Sequence, residues 1–148
     1  MAERPQLARR ADYVAFVPIS TRWHDNDVYG HINNVIYYSY FDTAVNQLLV
    51  EANVLDPASN AIIGLVVETR CSYFAPIAFP DPIEVGVKVV HLGTSSVRYD
   101  VGIFRGDAEI TSARGDFTHV YVERASGTST PIPAAVRAVL EQLKGSDA

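Results

Sequence analysis

Ile36, Tyr37, Tyr40, Phe41, Ala44, Val45, Leu48, Leu49 and Ala52 recur at the spacing of one helical face over about four turns. From Ile62 onward the apolar period changes to two. A long apolar helix followed by a run of alternating segments constrains the chain to an α+β arrangement, in which a sheet covers the helix. The stripe is wide and aromatic, which predicts a helix largely buried against that sheet. Asn33 or Asn34 is the expected N-cap, because a short side-chain oxygen can accept from an orphan amide of the first turn. Asn53 is the expected stop.

Tyr13, Ala15, Val17, Ile19 and Thr21 alternate ahead of the helix, and Pro18 confines that strand to an edge or an irregular position. After the helix, Val67, Thr69, Cys71 and Tyr73 oppose Glu68, Arg70 and Ser72. Prolines 76, 80 and 82 impose a loop. Ile83, Val85, Val87 and Val89 alternate again, a turn spans 92–95, and Val97, Tyr99, Val101 and Ile103 oppose Arg98, Asp100 and Gly102. A further turn at 105–107 leads into a long last strand, expected over 108–123, with Phe117, His119 and Tyr121 on one face. Short turns imply antiparallel neighbours. The expected organisation is a flexible terminus over 1–12, one domain over 13–124, and a linker with a short helix (134–143) over 125–148.

The 148 residues suit one domain. With 12 basic and 17 acidic side chains the net charge is -5, which argues against non-specific nucleic-acid binding, since that draws its affinity from neutralising phosphates. The single cysteine, Cys71, permits no intrachain disulfide and fits a reducing compartment. Residues 1–12 lack the apolar core of a signal peptide, and no apolar run approaches the ~18 residues of a membrane span. The expectation is a cytoplasmic protein without a membrane association.

The segment 22–34, RWHDNDVYGHINN, crowds Trp23, His24, Asp25, Asp27, Tyr29, His31, Asn33 and Asn34 directly before the buried helix. A helix start presents unpaired amides and partial positive charge. It can hold a developing oxyanion while an upstream carboxylate such as Asp27 acts from across a pocket, an arrangement suited to attack on a carbonyl. The plainer alternative makes Asp25 and Asp27 turn formers, with Gly30 supplying a positive φ. A metal site built from His24, Asp25, Asp27 and His31 matches no zinc spacing, so no metal is expected. Cys71 on an apolar strand face reads as a small hydrophobe, and His119 as a satisfied core or interface histidine. Ser39, Ser95 and Ser96 lack the Gly-x-Ser-x-Gly setting of a triad nucleophile.

The block Asp27-Val-Tyr-Gly30-His31-Ile-Asn33-Asn34-Val-Ile-Tyr37, followed by Tyr40-Phe-Asp42, resembles the hotdog-fold acyl-CoA thioesterases, in particular their 4-hydroxybenzoyl-CoA thioesterase-like branch. Weaker echoes are Arg70-x-x-Tyr73-x-x-Pro76 and Gly93-x-x-Ser96. The resemblance implies a curved antiparallel sheet wrapped around one long helix, in a homodimer or homotetramer with sites at the subunit interface. It implies hydrolysis of an acyl-CoA to a free acid and coenzyme A, with no separate cofactor. Asp27 takes the place of the catalytic acid, as nucleophile or general base, and the Asn34 backbone amide that of the oxyanion donor. Another branch carries its acid within the helix, where Asp42 stands. Gly30, His31, Asn33, Tyr37 and Ser96 are the accompanying substrate-binding positions. Arg98, and after it Arg70 and Arg114, are the candidate contacts for coenzyme A phosphates. Two other functions remain open at this point: a hydroxyacyl dehydratase on the same scaffold, for which His31 and Asp42 would have to meet, and a non-catalytic acyl-CoA binding module.

Overall fold

A computed structural model describes residues 6–145. The fold has five strands and two α-helices in the order β1 (Ala15–Ser20), α1 (Ile36–Glu51), β2 (Ile62–Tyr73), β3 (Pro82–Leu92), β4 (Ser96–Arg105), β5 (Ala113–Glu123) and α2 (Ala134–Gln142). The strands form one antiparallel sheet in the order β1-β3-β4-β5-β2, so β1 and β2 are its edges. Pro18 therefore sits on an edge strand, where its missing amide costs no ladder bond on the outer side.

The period-two residues of the central strands meet the helical stripe. Val85, Val87, Val97, Tyr99, Val101 and Ile103 are fully buried, and Tyr37, Tyr40, Phe41, Ala44, Val45 and Leu49 of α1 pack on them. Each such side chain is worth roughly 1.5–3 kcal/mol on burial, so this seam dominates the stability of the fold. α2 closes one end of it with Val136 and Leu140.

The ends of α1 follow local chemistry. No Gly or Pro interrupts it. It stops at Ala52 because Asn53 takes a left-handed turn (φ 62°), as expected of Asn at a helix end. Its start differs from expectation. The helix begins at Ile36, and neither asparagine is the capping residue proper. Asn33 instead caps from two residues further out, its side-chain oxygen accepting the Val35 amide at 3.2 Å and its carbonyl the Ile36 amide at 2.9 Å. That leaves Asn34 outside the helix.

Two boundaries shift for a common reason. The last strand begins at Ala113, not at residue 108, and residues 6–12, expected to be loose, lie packed on the outer face of the sheet. The Arg10 amide donates to the Glu109 carbonyl at 3.1 Å, and the Thr111 amide to the Ala8 carbonyl at 2.9 Å. The Arg10 guanidinium also reaches Glu84 at 2.8 Å and the carbonyls of Gly106 and Ala108. Ala8, Tyr13 and Phe104 form a small second core there, and the Tyr13 hydroxyl donates to Asp100 at 2.9 Å. Residues 1–5 of the expected flexible terminus lie outside the described residues. Among the described residues, no helix is long and apolar enough to cross a membrane.

Candidate active site

The polar segment before α1 is held at three points. Asp25, in a 3-10 turn over Trp23–Asp25, is 1 % exposed. Its carboxylate accepts the Tyr40 hydroxyl at 2.7 Å, the Arg22 amide at 2.9 Å and the Arg22 Nε at 3.1 Å. Burial pushes its pKa upward, but the Tyr40 hydroxyl and the Arg22 contacts outweigh that and hold the carboxyl below the usual range. Next, the buried Ile32 donates its amide to the Ile77 carbonyl at 2.7 Å. Finally, the Asn33 amide donates to the Asp25 carbonyl at 2.9 Å. Asp25 is thus committed to structure.

Between these anchors, residues 27–31 form a tight turn. The Asp27 amide donates to the His31 carbonyl at 2.8 Å, and the Gly30 amide to the Asp27 carbonyl at 3.1 Å. Gly30 has φ 81°, which a side chain would strain. Asp27 Oδ1 accepts the Tyr29 amide at 2.9 Å and the His31 amide at 3.4 Å. The turn-former role foreseen for Asp27 is therefore real, but it occupies one oxygen. Oδ2 has no hydrogen-bond partner among the described residues.

Asp27 opens into a cleft of about 380 Å³ shared with His31, Asn34 and Tyr37 on one side and Tyr73, Phe74, Ala75 and Pro76 on the other. The Asn34 amide has no intramolecular acceptor among the described residues, while its carbonyl accepts the Tyr73 hydroxyl at 2.8 Å. Tyr37 and Tyr73 meet edge to face, ring centroids 4.9 Å apart. Burial, with smaller contributions from Cys71 and Asp27 and against the nearby Ile77 backbone, pushes the Tyr37 hydroxyl up to about 12. It is neutral at any ordinary pH. A carboxylate with one uncommitted oxygen thus shares a partly apolar cleft with an uncommitted backbone donor. Such a pair can activate a nucleophile and hold an oxyanion.

Residues 21–140 match the sequence family described as the thioesterase-like superfamily. The chain belongs to that superfamily. Among solved structures, this thioesterase-like chain is 49 % identical to the PA5185 protein of Pseudomonas aeruginosa, over 97 % of its own length and 100 % of that chain, with a TM-score of 0.94. It is 27 % identical to the PA2801 protein of the same organism, over 86 % of its own length and 98 % of that chain, with a TM-score of 0.78. Slr0204, a 1,4-dihydroxy-2-naphthoyl-CoA thioesterase from Synechocystis, shares the fold at 15 % identity, covering 86 % of this chain and 96 % of its own with a TM-score of 0.79. No curated protein matches the chain. The antiparallel sheet with α1 packed across it is the hotdog fold of these thioesterase neighbours.

The other expected site residues of the thioesterase-like chain lie elsewhere. Gly30 sits exposed at the turn tip, and Asn33 is spent on the helix start. Asp42 is on an exposed side of α1, bonded to Asn46 Nδ2 at 2.9 Å, and does not line the cleft. His31 and Asp42 are therefore not brought together within one chain, as a dehydratase pair would require. Ser96, at the start of β4, is also outside the cleft; its carbonyl accepts the Gly93 amide at 2.8 Å. Arg98 lies with Arg70 and Arg114 in a separate trough of about 680 Å³, which meets the cleft at Phe74. All three arginines are paired there: Arg70 and Arg98 share Asp116 at 2.9 and 3.2 Å, and Arg114 holds Asp100 at 2.7 Å.

Cys71 is half-buried, and burial pushes its thiol up to about 11, which suits the hydrophobe foreseen for it. Sequence reasoning missed Phe74 and Ala75 as a cleft wall, though the Arg70-Tyr73-Pro76 echo brackets them. It also took His119 for a satisfied histidine. His119 is 2 % exposed, but its Nδ1 has no hydrogen-bond partner among the described residues. Among those residues no three His, Cys, Asp or Glu side chains gather as a metal cluster.

Proposed function

We propose that this chain is an acyl-CoA thioesterase that hydrolyses its substrate to a free carboxylic acid and coenzyme A. The observation that carries the reading is the meeting of the Asp27 carboxylate and the unpaired Asn34 amide in one cleft. The thioester carbonyl oxygen accepts from the Asn34 amide, which polarises the carbon. Asp27 Oδ2 takes a proton from water as the water oxygen bonds to that carbon, or bonds to it directly and yields an anhydride that water then opens. The C–S bond breaks in either case. A thiolate leaves readily, so the site needs no strong acid to expel it.

The hydrolase works as a dimer or larger homo-oligomer in this reading. β2 is a free edge of twelve residues, and Leu65, Val66 and Val67 on it are exposed. A long apolar edge strand is a template for pairing with another chain, and a second copy of β2 is the occupant that the hotdog scaffold suggests. The coenzyme A phosphates take the arginine trough beside Phe74. Because Arg70 and Arg98 share one carboxylate, either can turn to a phosphate without leaving Asp116 unpaired.

Thiol release from short, long and aromatic acyl-CoAs tests the proposal, with wild type and Asp27→Asn compared. Expected is turnover on part of the panel and a loss of roughly 10²–10⁴-fold in the variant, with an unchanged melting temperature. Equal rates in the two proteins would remove Asp27 from the chemistry, and no turnover on any substrate would overturn the hydrolase.

A further inference from the structure

At the far end of α1, a cavity of about 320 Å³ lies between α1, β2, β5 and α2. Leu49, Val54, Leu55, Ile62, Tyr121 and Val136 give it a mainly apolar wall, with Asn46, Asn60 and Arg124 also lining it. It is at the small end of the ~300–1,000 Å³ usual for ligand sites. His119 also lines it, and its Nδ1 is, with the Tyr99 hydroxyl, one of two buried side-chain polar atoms without a hydrogen-bond partner among the described residues. The imidazole is walled in by aromatic rings, with Phe117 at 4.8 Å, Tyr99 at 5.9 Å and Tyr121 at 6.4 Å between centroids. A buried polar atom without a partner costs the folded state free energy, and an apolar residue at 119 would avoid that cost. Gly64, also on the wall, lies close against the imidazole, and any side chain there would crowd it: a Cβ would stand 3.2 Å from His119 Nδ1 and 3.2 Å from the Tyr121 ring.

We propose that this cavity is a binding subsite for an aliphatic acyl chain carrying an oxygen away from the thioester, a hydroxyl or a ketone, with His119 as the side chain that reads that oxygen. The apolar wall takes the methylenes. Burial pushes His119 down to about 4, so the ring is neutral and offers one donor and one acceptor, and either oxygen function finds a match. A chain without the oxygen fills the same space and leaves His119 unpaired.

The cavity cannot serve the Asp27 of its own chain, because α1 climbs roughly 18 Å from Tyr37 at the cleft to Leu49 at the cavity. Antiparallel pairing of two β2 edges along their length sets Tyr73 of one copy beside Ile62 of the partner subunit. The cleft of one copy then continues into the cavity of the other. This last step rests on the thioesterase reading and on the paired edge; the subsite itself does not.

The test uses coenzyme A thioethers, in which a methylene replaces the thioester carbonyl, so that no hydrolysis occurs whatever Asp27 does. S-octyl-CoA is compared by calorimetry with derivatives bearing one hydroxyl or one ketone at successive carbons. Expected is one position that binds about tenfold more tightly than the parent, the worth of one hydrogen bond to a buried group, together with a shift of the His119 ring 15N resonances. That gain should vanish in Gly64→Ala and in His119→Phe. If the second variant does not fold, Gly64→Ala and the 15N shift decide. Affinities equal to the parent at every position, or a gain that survives in Gly64→Ala with the His119 resonances unmoved, would overturn the subsite. Wild-type turnover of acyl-CoAs is read separately. Turnover without an oxygen preference removes the subsite and leaves the hydrolase; the preference without turnover does the reverse.

Discussion

The Tyr73 hydroxyl donates to the Asn34 carbonyl at 2.8 Å, tying the last residue of the edge strand β2 to the residue that offers the cleft its free amide. The bond fixes the Asn34 backbone from the far wall of the cleft, where Tyr37 packs against the same ring. Tyr73→Phe keeps the ring and removes the tether. We expect kcat to fall about tenfold, in line with one hydrogen bond of ~0.5–1.5 kcal/mol, with KM and melting temperature little changed. Steady-state kinetics beside a thermal melt checks it.

Tyr40→Phe acts on the loop rather than on the chemistry. It strips one donor from the buried Asp25 carboxylate, and a bond to a charged group is worth ~1.5–3 kcal/mol. The sign with pH follows from the depressed carboxyl. Unfolded Asp titrates near ~3.9, and the folded one titrates lower. The stabilisation is complete above ~4 and is lost as pH falls through the folded value. Denaturant midpoints should therefore separate wild type from Tyr40→Phe most at neutral pH and converge in strong acid.

His119 sets a different window. Its pKa of about 4 in the fold lies under the ~6.5 of an unfolded histidine. Between those values the unfolded chain binds a proton that the folded one refuses, so stability falls as pH drops from ~6.5 towards 4. The slope approaches ~1.4 kcal/mol per pH unit. Chemical denaturation at a series of pH values should show this slope in wild type and lose it in His119→Phe.

Val67→Lys tests the free edge. Val67 is 59 % exposed at the bulge near the middle of β2, where two paired strands would bring it close to its own counterpart. Two ammonium groups there should weaken self-association at least tenfold, read by sedimentation, and activity should fall in parallel. An unchanged oligomer with full activity would remove β2 as the joining edge.

How much of this was written in the sequence depends on the range of the forces involved. Val85, Val87, Val97, Tyr99, Val101 and Ile103 were legible as one buried face, because period two survives in any sheet. Asp27, His31, Asn34 and Tyr37 were legible as neighbours in one cleft because a single turn and a helix start bring them together. The start of β5 was not. Glu109 and Thr111 spend backbone bonds on Arg10 and Ala8, about a hundred residues away, and no local pattern records that pairing. His119 looked like core by its alternation, which reports burial and is silent on whether a ring nitrogen has found a partner. Asp42 and Arg98 came from the resemblance alone, and their placement depends on contacts with Asn46 and Asp116 that no motif encodes.

The free edge of β2 has a genetic consequence. If the catalytic carboxylate belongs to one copy and the acyl receptor to its neighbour, two defective alleles can rescue each other. A copy lacking Asp27 and a copy with its cavity filled are each impaired as pure assemblies. Mixed together, they form a pair with one intact Asp27 facing one intact cavity, so half of the sites in each mixed pair work again. Inheritance of activity in such a protein follows the pair, not the polypeptide.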